Sequence, residues 1–231
     1  MIDFEFYSPT KIIFGKDKHL EIGKVVSSYG FKKVLVIIGK GSVKKSGLLD
    51  IVLTKLKEEG IEVEVFEGIR ANPTIHDCKL CLSLARKFQP NLLLAIGGGS
   101  VIDTAKNVAV GYYYDGDSFD FNLHKATPNK ALPIGVILTI SASGSELSSS
   151  CVISNDELNI KNGFNSDLVR PLFAIENPEL TYTVDAYQTA CGAVDIAMHT
   201  MERYFCLGED TYLTDSIAEA VMKSTIKAGY D

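Results

Sequence analysis

The segment between Leu94 and Lys106 has the clearest chemical content in this sequence. An apolar run leads into Gly97, Gly98 and Gly99, and a helical pattern follows them. Three glycines remove every Cβ from the turn, so a ligand can approach the backbone closely. The free N–H groups and the positive dipole at the start of the helix attract an anion. The segment therefore predicts a phosphate site, for which a dinucleotide pyrophosphate is a natural ligand.

Three polar residues after the glycines bear on this prediction. Ser100 is expected to cap the helix, with Asp103 in the position of a capping box. As an acid near a phosphate, Asp103 is expected to face away, toward its own cap or a neutral part of the ligand. Lys106 lies too far along the helix to act as a P-loop lysine, and the glycine spacing is not the usual dinucleotide fingerprint. Taken alone, the turn is equally compatible with a strand that simply ends tightly.

Composition excludes several classes of protein. The 231 residues allow one large domain or two smaller ones, and 46% hydrophobic and 23% charged residues are ordinary for a globular protein. The net charge of -6 argues against binding to nucleic acid. No apolar run is long enough for a membrane span and no secretory signal is recognisable, so a cytoplasmic location is expected. The five cysteines are expected to be reduced thiols.

Strand and helix patterns alternate along most of the chain. Strands are predicted over 34–38, 61–65, 92–96, 133–139, 151–154 and 172–175, with a polar connection over 155–167 and an opening hairpin formed by 4–7 and 12–14. Helices are predicted between the earlier strands, over 75–88 and 101–110 among others. This order predicts an α/β fold with a mostly parallel, Rossmann-like sheet and helices on both faces. Ligands of such sheets bind at the carboxyl ends of the strands, where the glycine-rich turns of this sequence lie.

The pattern becomes helical near Thr183. Asp185 is a good N-cap, and helices are predicted over 186–205 and 214–227. We therefore expect an α/β domain over 1–182 and the beginning of an all-helical domain over 183–231.

Asp195 and His199 lie four residues apart in the first of these helices. That spacing lets a carboxylate and an imidazole share a metal ion. The signal is weak, because about one such pair is expected by chance among 29 acidic residues and four histidines, and Asp120 with His124 is a second. A hydrogen bond on the helix surface is the simpler explanation of either pair.

An ordered series of motifs runs through the whole chain. It comprises residues 4–15, 39–47, 72–74, 97–106, 144–146 and 177–183, followed by Asp195 with His199. Together and in this order, these motifs resemble those of the iron-containing, or group III, alcohol dehydrogenases, and most closely their butanol dehydrogenase branch. This family resemblance implies that 1–182 is a dinucleotide-binding domain and that 183–231 is the beginning of a metal-binding domain.

The resemblance implies hydride transfer between a nicotinamide dinucleotide and a small alcohol or aldehyde, such as butanol or butyraldehyde. A divalent metal, Fe²⁺ or Zn²⁺, would act as Lewis acid with Asp195 and His199 among its ligands. A homodimer is expected, and no residue is assigned as an obligatory acid or base. The residues that fall on cofactor-binding positions of the family are Asn72, near the adenosine ribose, and Gly98, Gly99, Ser100, Asp103, Thr139, Ser143, Lys161 and Leu180.

The end of the strand over 34–38 bears on the choice of nucleotide. An acidic residue there would hold the ribose 2′-OH and repel a 2′-phosphate, whereas this sequence has Gly39. Ser42 and the lysines at positions 40, 44 and 45 lie nearby. We therefore predict that Gly39 and Ser42 belong to the cofactor site and that NADP(H) is preferred over NAD(H). The alternative is that these lysines form the solvated start of a helix.

The chain departs from the family at the metal site. Catalytic metals usually have three or more protein ligands, and no histidine follows His199. The resemblance therefore implies that further ligands and most of the helical domain are missing. We expect either an alcohol dehydrogenase whose sequence is a fragment or is completed by a partner chain, or a truncated, non-catalytic dinucleotide-binding protein; a glycerol or polyol dehydrogenase is a third alternative. Apolar residues left uncovered predict aggregation or self-association. They are Ile196, Met198, Ile217, Ala220 and Val221.

Overall fold

A computed structural model of the chain describes residues 3, 5–206, 208 and 211–230. The chain divides into two units, Ser8–Thr181 and a second unit that combines Met1–Tyr7 with Tyr182–Asp231. The assignment of 1–182 to a dinucleotide-binding domain and of 183–231 to a metal-binding domain stays a prediction.

One six-stranded parallel sheet organises the unit Ser8–Thr181. In chain order its strands are β1 (Lys11–Phe14), β2 (Lys33–Gly39), β3 (Glu62–Ile69), β4 (Leu92–Gly97), β5 (Ile134–Leu138) and, after a separate hairpin, β8 (Phe173–Glu176). Across the sheet the order is β1-β8-β5-β4-β2-β3, and every neighbouring pair is parallel. The inner strands are continuous apolar runs because both faces of the sheet are covered. The predicted fold class is confirmed.

Helices cover both faces of this sheet. They are α1 (Ile22–Ser28), α2 (Ser42–Lys45), α3 (Leu48–Glu58), α4 (Ile75–Phe88), α5 (Gly99–Gly111) and α6 (Phe119–Asn122). The apolar residues of α1 and α3 form one core cluster with one face of the sheet, and those of α4 and α5 form a second cluster with the other face. The result is a three-layer arrangement in which α5 is covered almost all round.

The strand order reverses between β2 and β4. The chain passes from β2 to β3 on one side of β2 and then returns to place β4 on its other side. At this point β2 ends with Gly39 and β4 ends with Gly97, both at the carboxyl edge of the sheet. Ligands of doubly wound sheets bind in the crevice outside such a reversal.

Two local predictions are wrong, the first because a distant strand decides the pairing and the second because the strand is polar and exposed. Residues 5–10 form no strand and Phe4 lies outside the described residues, so the predicted opening hairpin is not present there; β1 instead pairs with β8. The predicted polar connection contains β7 (Ile160–Asn165), which forms an antiparallel hairpin with β6 (Ser150–Asn155). β7 is largely exposed and polar, which hides the apolar alternation of a strand.

Two long helices, α7 (Ala186–Tyr204) and α8 (Tyr212–Tyr230), make up most of the second unit and pack against each other. The side chain of Asp185 accepts a hydrogen bond of 2.9 Å from the Gln188 N–H, which confirms the predicted N-cap. The five apolar residues predicted to be uncovered on these helices are exposed. Within the described residues, no helix is both long and apolar enough to cross a membrane.

Candidate functional site

The glycine turn after β4 leaves no room for side chains. A Cβ on Gly98 would overlap Cγ2 of Ile140, and a Cβ on Gly99 would overlap the hydroxyl of Ser143. Both neighbours belong to the segment that follows β5. The turn therefore lies directly against that segment, and glycine is required at position 98 by the close approach.

The start of α5 differs from the prediction. The helix begins at Gly99 after Gly98, whose backbone is extended with φ −98° and ψ −168°, and no side chain caps it. The prediction that Ser100 is the N-cap is therefore wrong, because the helix begins one residue before it. The N–H groups of Gly99 and Ser100 lie in the first turn, where the helix supplies no acceptor. This end of α5 suits an anion.

Asp103 does not cap its own helix, so the capping-box prediction is wrong. Its carboxylate accepts hydrogen bonds from the hydroxyl of Ser145 at 2.5 Å and from the N–H of Val152 at 3.0 Å. Burial raises the pKa of Asp103, while these hydrogen bonds and nearby Lys106 act in the opposite direction. Asp103 thus ties α5 to β6 and to the loop that follows β5. Its predicted contact with a cofactor stays a prediction.

The ends of β2 and β5 lie on either side of this turn. Gly39 pairs with Ile69 of β3. A Cβ added to Gly39 would lie 3.9 Å from a methyl group of Val101 in α5, so the end of β2 is close to the start of that helix. Beyond β5, the N–H of Thr139 donates a hydrogen bond of 3.2 Å to the carbonyl of Gly97. The structure thus brings Gly39, the glycine turn and Thr139 together at the reversal of strand order.

Asn72 and Lys161 meet although they are far apart in sequence. The Lys161 ammonium donates a 2.9 Å hydrogen bond to the side-chain oxygen of Asn72, which is in the left-handed region with φ 57°. The N–H of Ser154 also donates to the carbonyl of Pro73 at 2.9 Å. The loop after β3 is thereby joined to the β6–β7 hairpin.

Leu180 follows β8 at the same edge of the sheet. It lies in a short 3-10 helix, Pro178–Thr181, and its N–H donates to the carbonyl of Asn177 at 3.0 Å. The buried side chain of Asn177 is 3.2 Å from Nδ1 of His19. Burial lowers the pKa of His19, so a neutral ring accepts this hydrogen bond at Nδ1.

Ser42 is the exposed first residue of α2, close after Gly39. Lys40 and Lys45 are exposed as well. Lys44, however, forms an ion pair with Glu67 of β3. One of the lysines expected to favour a 2′-phosphate is therefore already beside a carboxylate.

Asp195 and His199 lie side by side on α7, with Oδ2 of Asp195 3.5 Å from Nε2 of His199 and both side chains well exposed. Glu202 is 3.8 Å from the other ring nitrogen. Oxygen and imidazole donors suit a divalent metal. Among the residues that the structure describes, however, no three His, Cys, Asp or Glu side chains are arranged to hold a metal. The described donor set is thus smaller than a catalytic metal usually has.

A match between this chain and the sequence model of a known family decides which family it belongs to. The model of iron-containing alcohol dehydrogenases matches residues 9–178. The chain belongs to this family. Curated relatives of this chain are named as alcohol dehydrogenases and aldehyde reductases that depend on NADH or NADPH. The matched residues include every cofactor-site candidate except Leu180.

Curated relatives extend the match over almost the whole chain. NADH-dependent butanol dehydrogenase A of Clostridium acetobutylicum is 43% identical over 229 residues, which are 99% of this chain and 59% of that protein. NADPH-dependent aldehyde reductase YqhD of Escherichia coli is 35% identical over 99% of this chain and 59% of its own length. The chain thus spans about 59% of the length of these relatives.

A solved structure agrees with the fold. The crystal structure of an NADH-dependent butanol dehydrogenase A from Thermotoga maritima superposes with a TM-score of 0.93 at 37% sequence identity. The match covers 99% of this chain and 57% of that one.

Sequence reasoning did not predict that Ser145 and Lys106 are buried beside the site and join α5 to the loop after β5. The available signal was the distribution of apolar residues along α5. They occur on several faces of the helix, which indicates a helix with no solvent face. A lysine in such a helix must find buried partners.

Proposed function

We propose that the unit Ser8–Thr181 binds a nicotinamide dinucleotide across the carboxyl ends of β2 and β4. The observation that carries this proposal is the side-chain-free turn at Gly98 and Gly99, which opens onto the start of α5 at the reversal of strand order. The N–H groups of Gly99 and Ser100 would hold the pyrophosphate. Asn72 with Lys161 would lie on the adenosine side.

A paired substitution tests this proposal. Gly98→Ala should weaken NADPH binding about tenfold, because the added methyl overlaps Ile140 and displaces the turn. Adding Ile140→Ala removes the overlapping group and should restore most of the affinity. The readout is a titration of nucleotide fluorescence, which needs no turnover. Equal affinity of the wild type and Gly98→Ala would contradict the proposed site.

We propose further that the nucleotide exchanges a hydride with a small alcohol or aldehyde, as the names of the relatives indicate for those proteins. Asp195 and His199 would contribute two ligands to a divalent metal, Fe²⁺ or Zn²⁺, whose chemistry is to polarise the substrate oxygen. Zn²⁺ titration should show weak binding that is lost in His199→Ala.

A second candidate function is dinucleotide binding without turnover by this chain alone. Among the described residues, no three His, Cys, Asp or Glu side chains are arranged to hold a metal, and this favours the second candidate, since catalytic metals usually have three or more ligands. An assay with butyraldehyde and NADPH, with and without added Fe²⁺ or Zn²⁺, separates the two. Turnover would exclude the second candidate, and nucleotide binding without turnover would support it.

For the nucleotide itself, we propose NADP(H) in preference to NAD(H). Support comes from Gly39, which leaves no acid at the end of β2, and from the exposed Lys40 and Lys45. The ion pair of Lys44 with Glu67 opposes it, and the relative from Clostridium acetobutylicum is named NADH-dependent.

The proposal on the nucleotide is tested by two opposite changes of charge. Gly39→Asp should shift the ratio of NADPH to NADH affinities toward NADH, and Glu67→Gln should shift it toward NADPH. Tighter binding of NADH than of NADPH by the wild type at matched concentrations would overturn the preference.

A further inference from the structure

A lysine is buried within the unit Ser8–Thr181 with all of its protons engaged in hydrogen bonds. Lys106, in α5, has no exposed surface. Its Nζ donates to the carbonyls of Ser148 and Ser150 at 2.9 and 2.7 Å, and to the hydroxyl of Ser148 at 3.2 Å. An ammonium has three donors, and this one has three acceptors. All of them lie in residues 141–150, which we call the serine loop.

Asp103 holds the same loop one turn earlier on α5. It binds the Ser145 hydroxyl within the loop and the Val152 N–H immediately after it. Arg170 adds a further hydrogen bond of 2.7 Å to the carbonyl of Leu147. The second half of the serine loop is therefore fastened to α5 by two side chains of opposite charge, the buried Lys106 and the half-buried Asp103.

The first half of the loop forms a wall of the proposed cofactor site. Ser143 presses against Gly99 at the start of α5. It is followed by Gly144, whose φ of 65° lies in the left-handed region that favours glycine. Because only this one residue separates Ser143 from Ser145, the place where Ser145 is fastened limits where Ser143 can lie.

We propose that Lys106 is a positioning residue for dinucleotide binding: with Asp103, it fastens the serine loop to α5 and so sets Ser143 against the first turn of the helix. Lys106 acts without touching the nucleotide. The inference rests on the proposed function, because it assigns the glycine turn to a dinucleotide.

The test compares a variant in which the serine loop loses its attachment to α5 with a control variant that loses only folding stability. Lys106→Met keeps the length and apolar stem of the side chain but leaves the acceptors of the serine loop without a donor. It should weaken NADPH binding about tenfold. Val26→Ala, which removes buried methyl groups on the opposite face of the sheet, should leave the affinity unchanged even if the protein is destabilised. Unchanged affinity in Lys106→Met would overturn the proposal.

A milder variant covers the case in which Lys106→Met does not fold. Ser148→Ala removes only the hydroxyl acceptor and should weaken binding by a few-fold. Where Lys106→Met folds, this effect should become smaller in the double variant, because the Ser148 hydroxyl then has no ammonium to bind and keeps only its hydrogen bond from the Ser150 N–H. Unchanged affinity in Ser148→Ala, or full additivity of the two substitutions, would contradict the proposal.

Hydrogen exchange separates the failure of this inference from failure of the proposed function. Exchange is measured on the chain without nucleotide. The N–H of Val152 and the amides of the serine loop should exchange faster in Lys106→Met than in Val26→Ala. If Lys106→Met does not fold, Ser148→Ala takes its place in this comparison. If the wild type binds neither NADPH nor NADH, the proposed function fails. Faster exchange would still support the fastening role of Lys106, and unchanged exchange would overturn it.

Discussion

The burial of Lys106 predicts an unusual dependence of stability on pH. Burial lowers its pKa from the ordinary 10.5 to about 8, and the nearby carboxylate of Asp103 only partly offsets this effect. Between these two values the unfolded chain binds more protons at this position than the folded chain does. The free energy of unfolding contributed by Lys106 therefore rises with pH across this window.

The magnitude follows from the two pKa values. The slope approaches 1.36 kcal/mol per pH unit above pH 8, so the contribution of Lys106 grows by roughly 1 kcal/mol between pH 7 and pH 9. Three buried thiols, Cys78, Cys81 and Cys151, act in the opposite direction above pH 9. Burial raises their pKa values, so the unfolded chain loses those protons first.

The assay is urea unfolding followed by circular dichroism at pH 7, 8 and 9, for the wild type and for Lys106→Met. The thiols are the same in both proteins, so their effect cancels in the difference. The difference, wild type minus variant, should rise by roughly 1 kcal/mol between pH 7 and 9. Lys87→Met, a change at an exposed lysine, is the control and should follow the wild type. Parallel curves for the wild type and Lys106→Met would refute the reasoning.

Three further predictions concern packing, acid stability and association. Gly135→Ala should lower the free energy of unfolding by about 1–3 kcal/mol, because its methyl would overlap the ring of Phe173 in the neighbouring strand; urea unfolding measures it. The lowered pKa of His19 predicts that stability falls as the pH drops below 6.5, since the unfolded chain is protonated first. That fall should shrink in His19→Gln but persist in the exposed variant His76→Gln, as thermal unfolding at pH 5 and 7 would show. The exposed apolar residues of α7 and α8 predict self-association, which light scattering should find reduced in Met198→Glu; a monomeric wild type would contradict this.

The parts of the fold that the sequence predicts well are those that local patterns determine. The helix over 75–88 is found with the predicted ends, because Thr74 caps it and Pro90 follows it. The buried strands β2 and β4 are unbroken apolar runs in the sequence. The partner of β1 is β8, far along the chain, so this pairing could not be deduced from neighbouring residues. β7 pairs with the preceding strand β6 and was missed because it is polar and largely exposed.

The residues of the candidate site also differ in how far the sequence predicts their roles. The glycine turn could be recognised because backbone approach demands glycine in a short stretch. The roles of Asp103 and Lys106 could not, because their partners lie about 40 residues later in sequence, in the serine loop and at the start of β6. The apolar residues along α5 indicate that Lys106 is buried, but they do not indicate which groups it meets there.

The pairing of β1 with β8 has a consequence for synthesis of the chain. Thr10, just before β1, donates a hydrogen bond to the carbonyl of Pro171, 161 residues later in sequence. At ribosomal rates of about 5–20 residues per second, β1 must wait roughly 10 to 30 s for its partner strand to be made. During that time β5 would present an open edge to the cell, so the sheet would form from β3, β2, β4 and β5 first and be completed last by β8 and β1.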